Sequence, residues 1–289
     1  MLADLAMTAP RILLTNDDGI QASGLMALAE ACGRFADVWV VAPDREQSAT
    51  SHAISLHKPL RARQVDAQRF TVDGTPTDCV YLGLHHFLCE PPVMVVSGIN
   101  HGPNLGNDVI YSGTVSAAME GALFGYQAVA VSLCLPDNHR SQTLTTKDFA
   151  VAADFACDLV QKTLETPMPP GVLLNVNVPF RPRAEISGYR LCRLGYTDWA
   201  ETVTVRDDPR GRPYYWIGGQ RGTKDAIEGS DINAVAQGLV SITPIHYDVT
   251  DYRSLAYARS LHLAGYERKS DALGDTQMPH PPHPRAKGV

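Results

Sequence analysis

No run of five basic residues occurs in the 289-residue sequence, and Asp and Glu outnumber Lys and Arg, 31 to 25. The chain thus lacks the electrostatic footprint of a protein that grips duplex nucleic acid or an anionic bilayer, and any anion it binds is small and held locally. A transmembrane helix is missing too: the longest apolar stretch, Gly121 to Pro136, is broken by Gln127 and Ser132 and is shorter than the roughly 20 residues a span requires. The six cysteines never form a CxxC pair, and several sit among apolar neighbours as reduced core thiols do. The segment MLADLAMTAPR carries Asp4 and no basic residue ahead of its short apolar run, unlike a secretory leader, so the expected location is the cytoplasm. With 44% hydrophobic residues, 23 glycines and 20 prolines, the composition is neither disordered nor collagen-like, and the length supplies a core without disulfide staples.

What is present is a repeating strand-helix rhythm. Arg11 to Thr15 (RILLT) and Val38 to Ala42 (VWVVA) are short continuous apolar runs, the form of strands buried on both faces of a parallel sheet. Between them Leu25, Leu28, Ala29 and Cys32 make one helical stripe, with Ser23 as the expected N-cap. The alternation continues through strands at Arg69 to Val72, Val93 to Val96 and Ala128 to Leu133, with helices from about Pro76 and Val115 between them. Thr75-Pro76 with Asp78 predicts a capped helix start, after which Tyr81, Leu84, His85 and Leu88 should share a face. Thr145 and Asp148 predict another start, with Phe149, Ala152, Ala153 and Ala156 as its buried stripe. The expected fold class is α/β, a Rossmann-like, doubly wound, mostly parallel sheet occupying residues 1–180. After the strand Val172 to Val178 the rhythm stops, so residues 181–266 are expected as hairpins and extended arms, with Leu239 to Pro244 the clearest strand. Residues 267–289, rich in Pro and His, are expected as a disordered tail.

Open parallel sheets bind ligands at the carboxyl ends of their strands, and the polar clusters fall there: Asn16-Asp17-Asp18-Gly19, Pro43 to Ser48, and Ser97-Gly98-Ile99-Asn100. Adjacent carboxylates at Asp17 and Asp18 repel unless a proton or cation compensates them. Together with the Ser48 hydroxyl and the Asn100 amide oxygen they make an oxygen donor set suited to Mg²⁺ or Mn²⁺, where zinc would favour His or Cys; an alternative is that the acids merely cap the first helix in water. The segment Gly98 to Thr114 is long for a plain connection, and its Ser112, Gly113 and Thr114 fall where the next helix exposes unpaired N–H groups that favour a phosphate. Of the histidines His52, His57, His85, His86 and His101, none has a metal-pair spacing, and only His101 lies in the polar loop.

These motifs also form a recognisable set. RILLTNDDGI, VVAPDREQSA, GTPTDCVYLGL, VVSGINHGPNLGNDVIYSGTVSAAMEGA, LLNVNVP, DPRGRPYYWIGG and GLVSITPIHYDVT, in this order over about residues 11 to 250, resemble the SurE family of survival-protein nucleotidases. The resemblance implies a divalent-metal-dependent phosphatase acting on nucleoside 5′- and 3′-monophosphates and, in some members, on short polyphosphate. It implies a Rossmann-like body with C-terminal arms exchanged between the subunits of a homodimer or homotetramer. By motif it assigns one Mg²⁺ or Mn²⁺ ion per subunit to Asp17, Asp18, Ser48 and Asn100, with Asp17 and Asp18 catalytic, and places Asn16, Asn104, Ser112, Gly113 and Thr114 around the phosphate. His101 and Asn107 stand where some relatives carry Ala and Asp, and Gly229 to Asn233 where some carry GTDFH. Two rivals stand beside this reading. One is an aspartyl-phosphate phosphatase of the haloacid dehalogenase type, which needs a carboxylate where Asn16 stands; the other is a non-catalytic nucleotide sensor.

Overall fold

A computed structural model describes residues 9–136, 142–199, 203–217, 221–224 and 227–261. Along the first half run β1 (Arg11–Thr15), α1 (Ser23–Cys32), β2 (Asp37–Pro43), β3 (Ala62–Asp66), β4 (Arg69–Val72), α2 (Pro76–Leu82), β5 (Met94–His101), α3 (Gly113–Leu123) and β6 (Gln127–Cys134). Then come α4 (Ala150–Glu165), β7 (Val172–Pro179), β8 (Tyr189–Leu191), β9 (Thr197–Trp199), β10 (Val203–Asp207), β11 (Pro213–Ile217), β12 (Arg221–Lys224), α5 (Asp231–Ala236) and β13 (Val240–His246). Among the described residues nine strands form one sheet in the order β3-β4-β2-β1-β5-β6-β7-β13-β8. Its β4-to-β7 portion is parallel throughout, and β3 and β13 join antiparallel to β4 and β7. The fold is α/β, as the apolar runs predict.

From β1 the chain crosses to β2 on one side, and β5 is laid on the other side of β1. The order reverses between β1 and β5, and that is where an open α/β sheet presents its ligand crevice. Because β1 and β5 are flanked by strands and covered by helices on both faces, Ile12, Leu13, Leu14, Val95 and Val96 are fully buried, which is why they read as unbroken apolar runs. Helix α1 approaches β5 so closely that a Cβ at Gly24 would lie 2.0 Å from the Ile99 carbonyl oxygen. A side chain there would push the first helix off the crevice.

Local capping reads correctly where both partners lie within one turn. Thr75 and Asp78 form a reciprocal capping box at α2, and Thr145 with Asp148 opens the turn leading into α4. The expected cap at Ser23 is not formed: Ala22 holds the N-cap position, and the Ser23 hydroxyl donates instead to the Leu144 carbonyl at 2.9 Å. A long-range acceptor outcompetes the local one. The helix from Pro76 also differs from its expected stripe, since it passes at Gly83 into a π-helical turn (Gly83–Phe87). Leu84 and Leu88 are buried, whereas Tyr81 and His85 are exposed and meet Phe124 edge-on.

Strand β5 runs further than its apolar residues suggest. A register shift between Ser97 and Asn100, with Gly98 at φ +137°, carries the strand through the polar SGIN segment and pairs Asn100 with Ser132. A Cβ at Gly98 would lie 2.3 Å from the Val131 carbonyl oxygen, so bulge and close approach both require glycine. Beyond residue 180, the expected Leu239 strand appears as β13 and extends the main sheet; Pro244 sits past the end of the short β8, where its missing N–H leaves no sheet bond unmade. β10 and β11 form an antiparallel hairpin standing out in solvent. The tail, 267–289, lies outside the described residues.

Candidate active site

At the switch point an open cleft of about 600 Å³ is lined by Asp17, Asp18, Glu46, Ser48, Asn100 and Asn104 among others. That volume suits a small phosphorylated molecule. Asp17 is 4% exposed; one carboxylate oxygen accepts a short hydrogen bond from the Thr114 hydroxyl, and its backbone carbonyl accepts from the Gln47 N–H at 2.7 Å. The neighbouring Asp18 carboxylate accepts from the His101 backbone N–H at 3.1 Å. His101 therefore touches the acids through its main chain, while its ring lies at the rim edge-on to Phe149.

Burial pushes the Asp17 carboxyl above its ordinary range, an effect the Thr114 hydroxyl partly offsets. Asp18 is pushed up to about 7, first by burial and then by the Asp17 charge beside it. Among the described residues no Lys or Arg lines the cleft, and Glu46 and Asp108 add further acids. Two carboxylates so raised, with no side-chain cation facing them, are groups that a bound cation would return to the ionised form.

The other oxygen donors converge on the same cleft. The Asn100 amide nitrogen donates to the Gly102 carbonyl at 2.9 Å, which leaves the amide oxygen for a ligand. The Ser48 hydroxyl donates to Glu46 at 2.7 Å and keeps its lone pairs. Its loop is stitched to the turn before α3: the Ser51 hydroxyl donates to the Ile110 carbonyl at 2.8 Å and the Ser51 N–H to the Tyr111 carbonyl at 3.2 Å. Asn16 serves the turn itself. Fully buried, it donates to the Gly19 carbonyl at 2.9 Å and accepts the Gly19 N–H at 3.2 Å, so both ends of its amide are engaged in closing the loop that carries the two acids.

Beside Asp17, Ser112 caps α3 by accepting the Val115 N–H at 3.0 Å, and the Gly113 backbone lies hard against the acid. A Cβ at Gly113 would sit 2.9 Å from both the Cβ and Oδ2 of Asp17. The α3 N-terminus can approach the carboxylate only as glycine, and its dipole favours an anion there. Thr114 is turned toward Asp17, which commits its hydroxyl to the acid.

Asn104 is held by residues that its own motif does not reveal. Its N–H donates to Asn177 at 2.9 Å, its carbonyl accepts from Asn175 at 2.8 Å and Asn177 at 2.9 Å, and its side-chain nitrogen donates to Ser132 at 2.8 Å. All three partners are fully buried. A signal existed, because two asparagines two apart in an otherwise apolar strand point to one face and demand partners. Asp231, likewise fully buried, accepts the N–H groups of Gly106 and Gly195 at 2.8 and 2.7 Å and so fixes the loop after Asn104. Asn107 donates to the Thr197 carbonyl at 3.1 Å and accepts its N–H at 2.8 Å, a two-way pair that an aspartate in its place would lack a donor to make.

The fold and crevice define a class: a doubly wound α/β protein with paired buried acids packed against a helix N-terminus at an oxygen-lined cleft. Comparison with known proteins narrows that class. The family model described as Survival protein SurE matches residues 12–201. Over 262 residues the chain is 54% identical to the 5'-nucleotidase SurE of Anaeromyxobacter dehalogenans (strain 2CP-C), covering 90% of this chain and 98% of that one. It is 50% identical over 260 residues to the 5'-nucleotidase SurE of Myxococcus xanthus (strain DK1622), with 89% and 95% covered. The crystal structure of the SurE protein from Aquifex aeolicus superposes with a TM-score of 0.75 at 40% identity, over 87% of this chain and 99% of that one. The chain belongs to the SurE family.

Proposed function

We propose that the protein is a divalent-metal-dependent nucleotidase that hydrolyses nucleoside 5′- and 3′-monophosphates to nucleoside and phosphate. The observation that carries this reading is the pair of buried, mutually repelling carboxylates, Asp17 and Asp18, beside the α3 N-terminus, with no Lys or Arg among the described residues lining the cleft. The relatives named 5'-nucleotidase SurE, about half identical over nearly their whole length, support the same activity.

The donor set fits a hard divalent ion: two carboxylates, the Asn100 amide oxygen and the Ser48 hydroxyl, all oxygen. Asp17, Asp18, Ser48 and Asn100 would hold one Mg²⁺ or Mn²⁺ per chain. Such an ion, when bound, lowers the pKa of a water and offsets charge on the phosphoryl oxygens. The chain's own groups do the rest. The Asp carboxylates orient the attacking water, Asn104, the Ser112 hydroxyl and the N–H groups at Gly113 and Thr114 hold the phosphate in line, and the Asn16 turn keeps both acids in place.

Asn16 also weighs against an aspartyl-phosphate mechanism, since it supplies an amide where that chemistry needs a second carboxylate, and its amide is occupied in the turn. The reading extends to assembly. Val203, Val205, Tyr214, Tyr215, Trp216 and Ile217 are all exposed on the β10–β11 hairpin, and burying them against another copy in a homodimer or homotetramer would remove apolar area from water. No helix among the described residues is long and apolar enough to cross a membrane. Phosphate release from a nucleotide panel, after chelation and re-addition of each ion, tests the proposal. Release restored by Mg²⁺ or Mn²⁺ is expected; AMP binding without release under any ion would favour a sensor, and a trapped phosphate ester on Asp17 would revive the rival enzyme.

A further inference from the structure

Beside the cleft lies a second cavity, of about 410 Å³, which shares Pro103 and Asp108 with it. Leu105, Leu135, Pro179 and Ile232 give it apolar walls, and Arg181 is on its lining. Its walls come from distant parts of the chain and are tied together. The fully buried Asp231 bonds the Gly106 and Gly195 N–H groups, and Asn107 bonds both main-chain groups of Thr197. Glycine at 106 and 195 lets these segments close up, since a Cβ at Gly106 would lie 2.8 Å from the Gly195 carbonyl oxygen.

Resting on the nucleotidase reading above, we propose that this cavity receives the base of the nucleoside monophosphate. A phosphate held at Asn104 keeps its ester-linked nucleoside within reach of a cavity that opens beside that residue, and in-line displacement needs the leaving group seated away from the attacking water. Pro103, next to Asn104, and Asp108 line both the cleft and the second cavity, so the phosphate site at Asn104 opens directly onto that cavity. A third cavity, of about 400 Å³, borders the cleft at Asp18, Glu46 and His101. It does not include Asn104 or its neighbours, and Asp18, Ser23, Glu46, Gln142 and Thr143 make its lining polar, which suits an apolar ring less well. Apolar walls with a guanidinium among them suit a flat, weakly hydrated ring, which binds by stacking and area burial with little demand on hydrogen-bond geometry.

The test fills each cavity from its exposed rim. Ala236→Trp on α5 fills the proposed base cavity, and Thr143→Trp fills the third one. KM and kcat are measured for AMP and for glycerol 2-phosphate, which has no ring, and AMP and inorganic phosphate binding are measured by calorimetry. Ala236→Trp is expected to raise KM and Kd for AMP at least tenfold while leaving glycerol 2-phosphate turnover and phosphate binding within about twofold, and Thr143→Trp to leave AMP unaffected. Unchanged AMP binding in Ala236→Trp, an equal loss for ringed and ringless ligands, or a tenfold effect from Thr143→Trp instead would overturn the proposal. A wild-type protein that releases phosphate from neither ester would refute the nucleotidase reading, and the calorimetry would still decide where the base binds.

Discussion

Helix α3 carries two glycines in close contact with other residues, and they separate the requirements of the site from those of the fold. A Cβ at Gly113 would lie 2.9 Å from the Cβ and Oδ2 of Asp17, and one at Gly121 would lie 2.8 Å from the Cβ and Cγ2 of Val95 in the core. Carbon contacts are comfortable at roughly 3.5–4.0 Å, so either alanine forces its neighbour to move by more than about 0.5 Å. At Gly121 the displaced neighbour is a buried valine: overpacking costs about 1–3 kcal/mol, and alanine's better helix propensity returns up to about 1 kcal/mol. At Gly113 the displaced neighbour is the carboxylate, which loses its bond from Thr114. Misplacing a catalytic group by a fraction of an ångström to 1 Å costs about 10²-fold in rate, roughly 2.7 kcal/mol of barrier. Gly113→Ala should therefore lose about 10²-fold in kcat/KM with a stability loss no greater than that of Gly121→Ala, which should keep activity within about threefold. Steady-state kinetics and urea titration of both variants check this. Full activity in Gly113→Ala would show that the helix N-terminus does not constrain Asp17 in the way the contact distances require.

Because Asp18 is raised from 3.8 to about 7 in the folded chain, the folded state binds more protons than the unfolded state between those values, and stability without metal falls as pH rises through that window. The full span is on the order of 4 kcal/mol; urea titrations in chelator at pH 4.5 and 7.5 should show the fall, saturating Mg²⁺ or Asp18→Asn should flatten it, and an identical slope in all three would contradict the burial argument. Asn177→Ala leaves the Asn104 N–H without its buried acceptor, at a cost of about 1–3 kcal/mol, and should lower kcat/KM more than tenfold while the metal concentration for half-activity stays put. For the proposed homodimer or homotetramer, deleting the 203–217 hairpin should give a smaller species than the full chain in light scattering; an unchanged mass would remove the hairpin from the interface.

How much of this was legible in the sequence depended on range. Buried strands announce themselves as apolar runs, and capping boxes such as Thr75 with Asp78 close within one turn, so local chemistry decides them. Asp17, Asp18, Ser48 and Asn100 were legible as polar clusters after strand ends, because the parallel sheet carries every such end to the same edge. Ser23 was not, since its hydroxyl serves Leu144, 121 residues away. Asp231 was not read for a similar reason: its bond to Gly106 spans 125 residues. The roles of Asn16 and Thr114 look like ligand contacts in a motif, yet in the folded chain their side chains hold the acid-bearing turn and Asp17 itself.

The claim on which everything else depends is that Asp17 and Asp18, with Ser48 and Asn100, hold one divalent cation at the switch of the sheet. Equilibrium Mn²⁺ binding, read by electron paramagnetic resonance on the metal-stripped protein, addresses it directly. One ion per chain is expected for the wild type and none at the same concentration for Asp17→Asn. An Asp17→Asn chain that binds Mn²⁺ with wild-type stoichiometry and affinity would place the ion elsewhere and contradict the account.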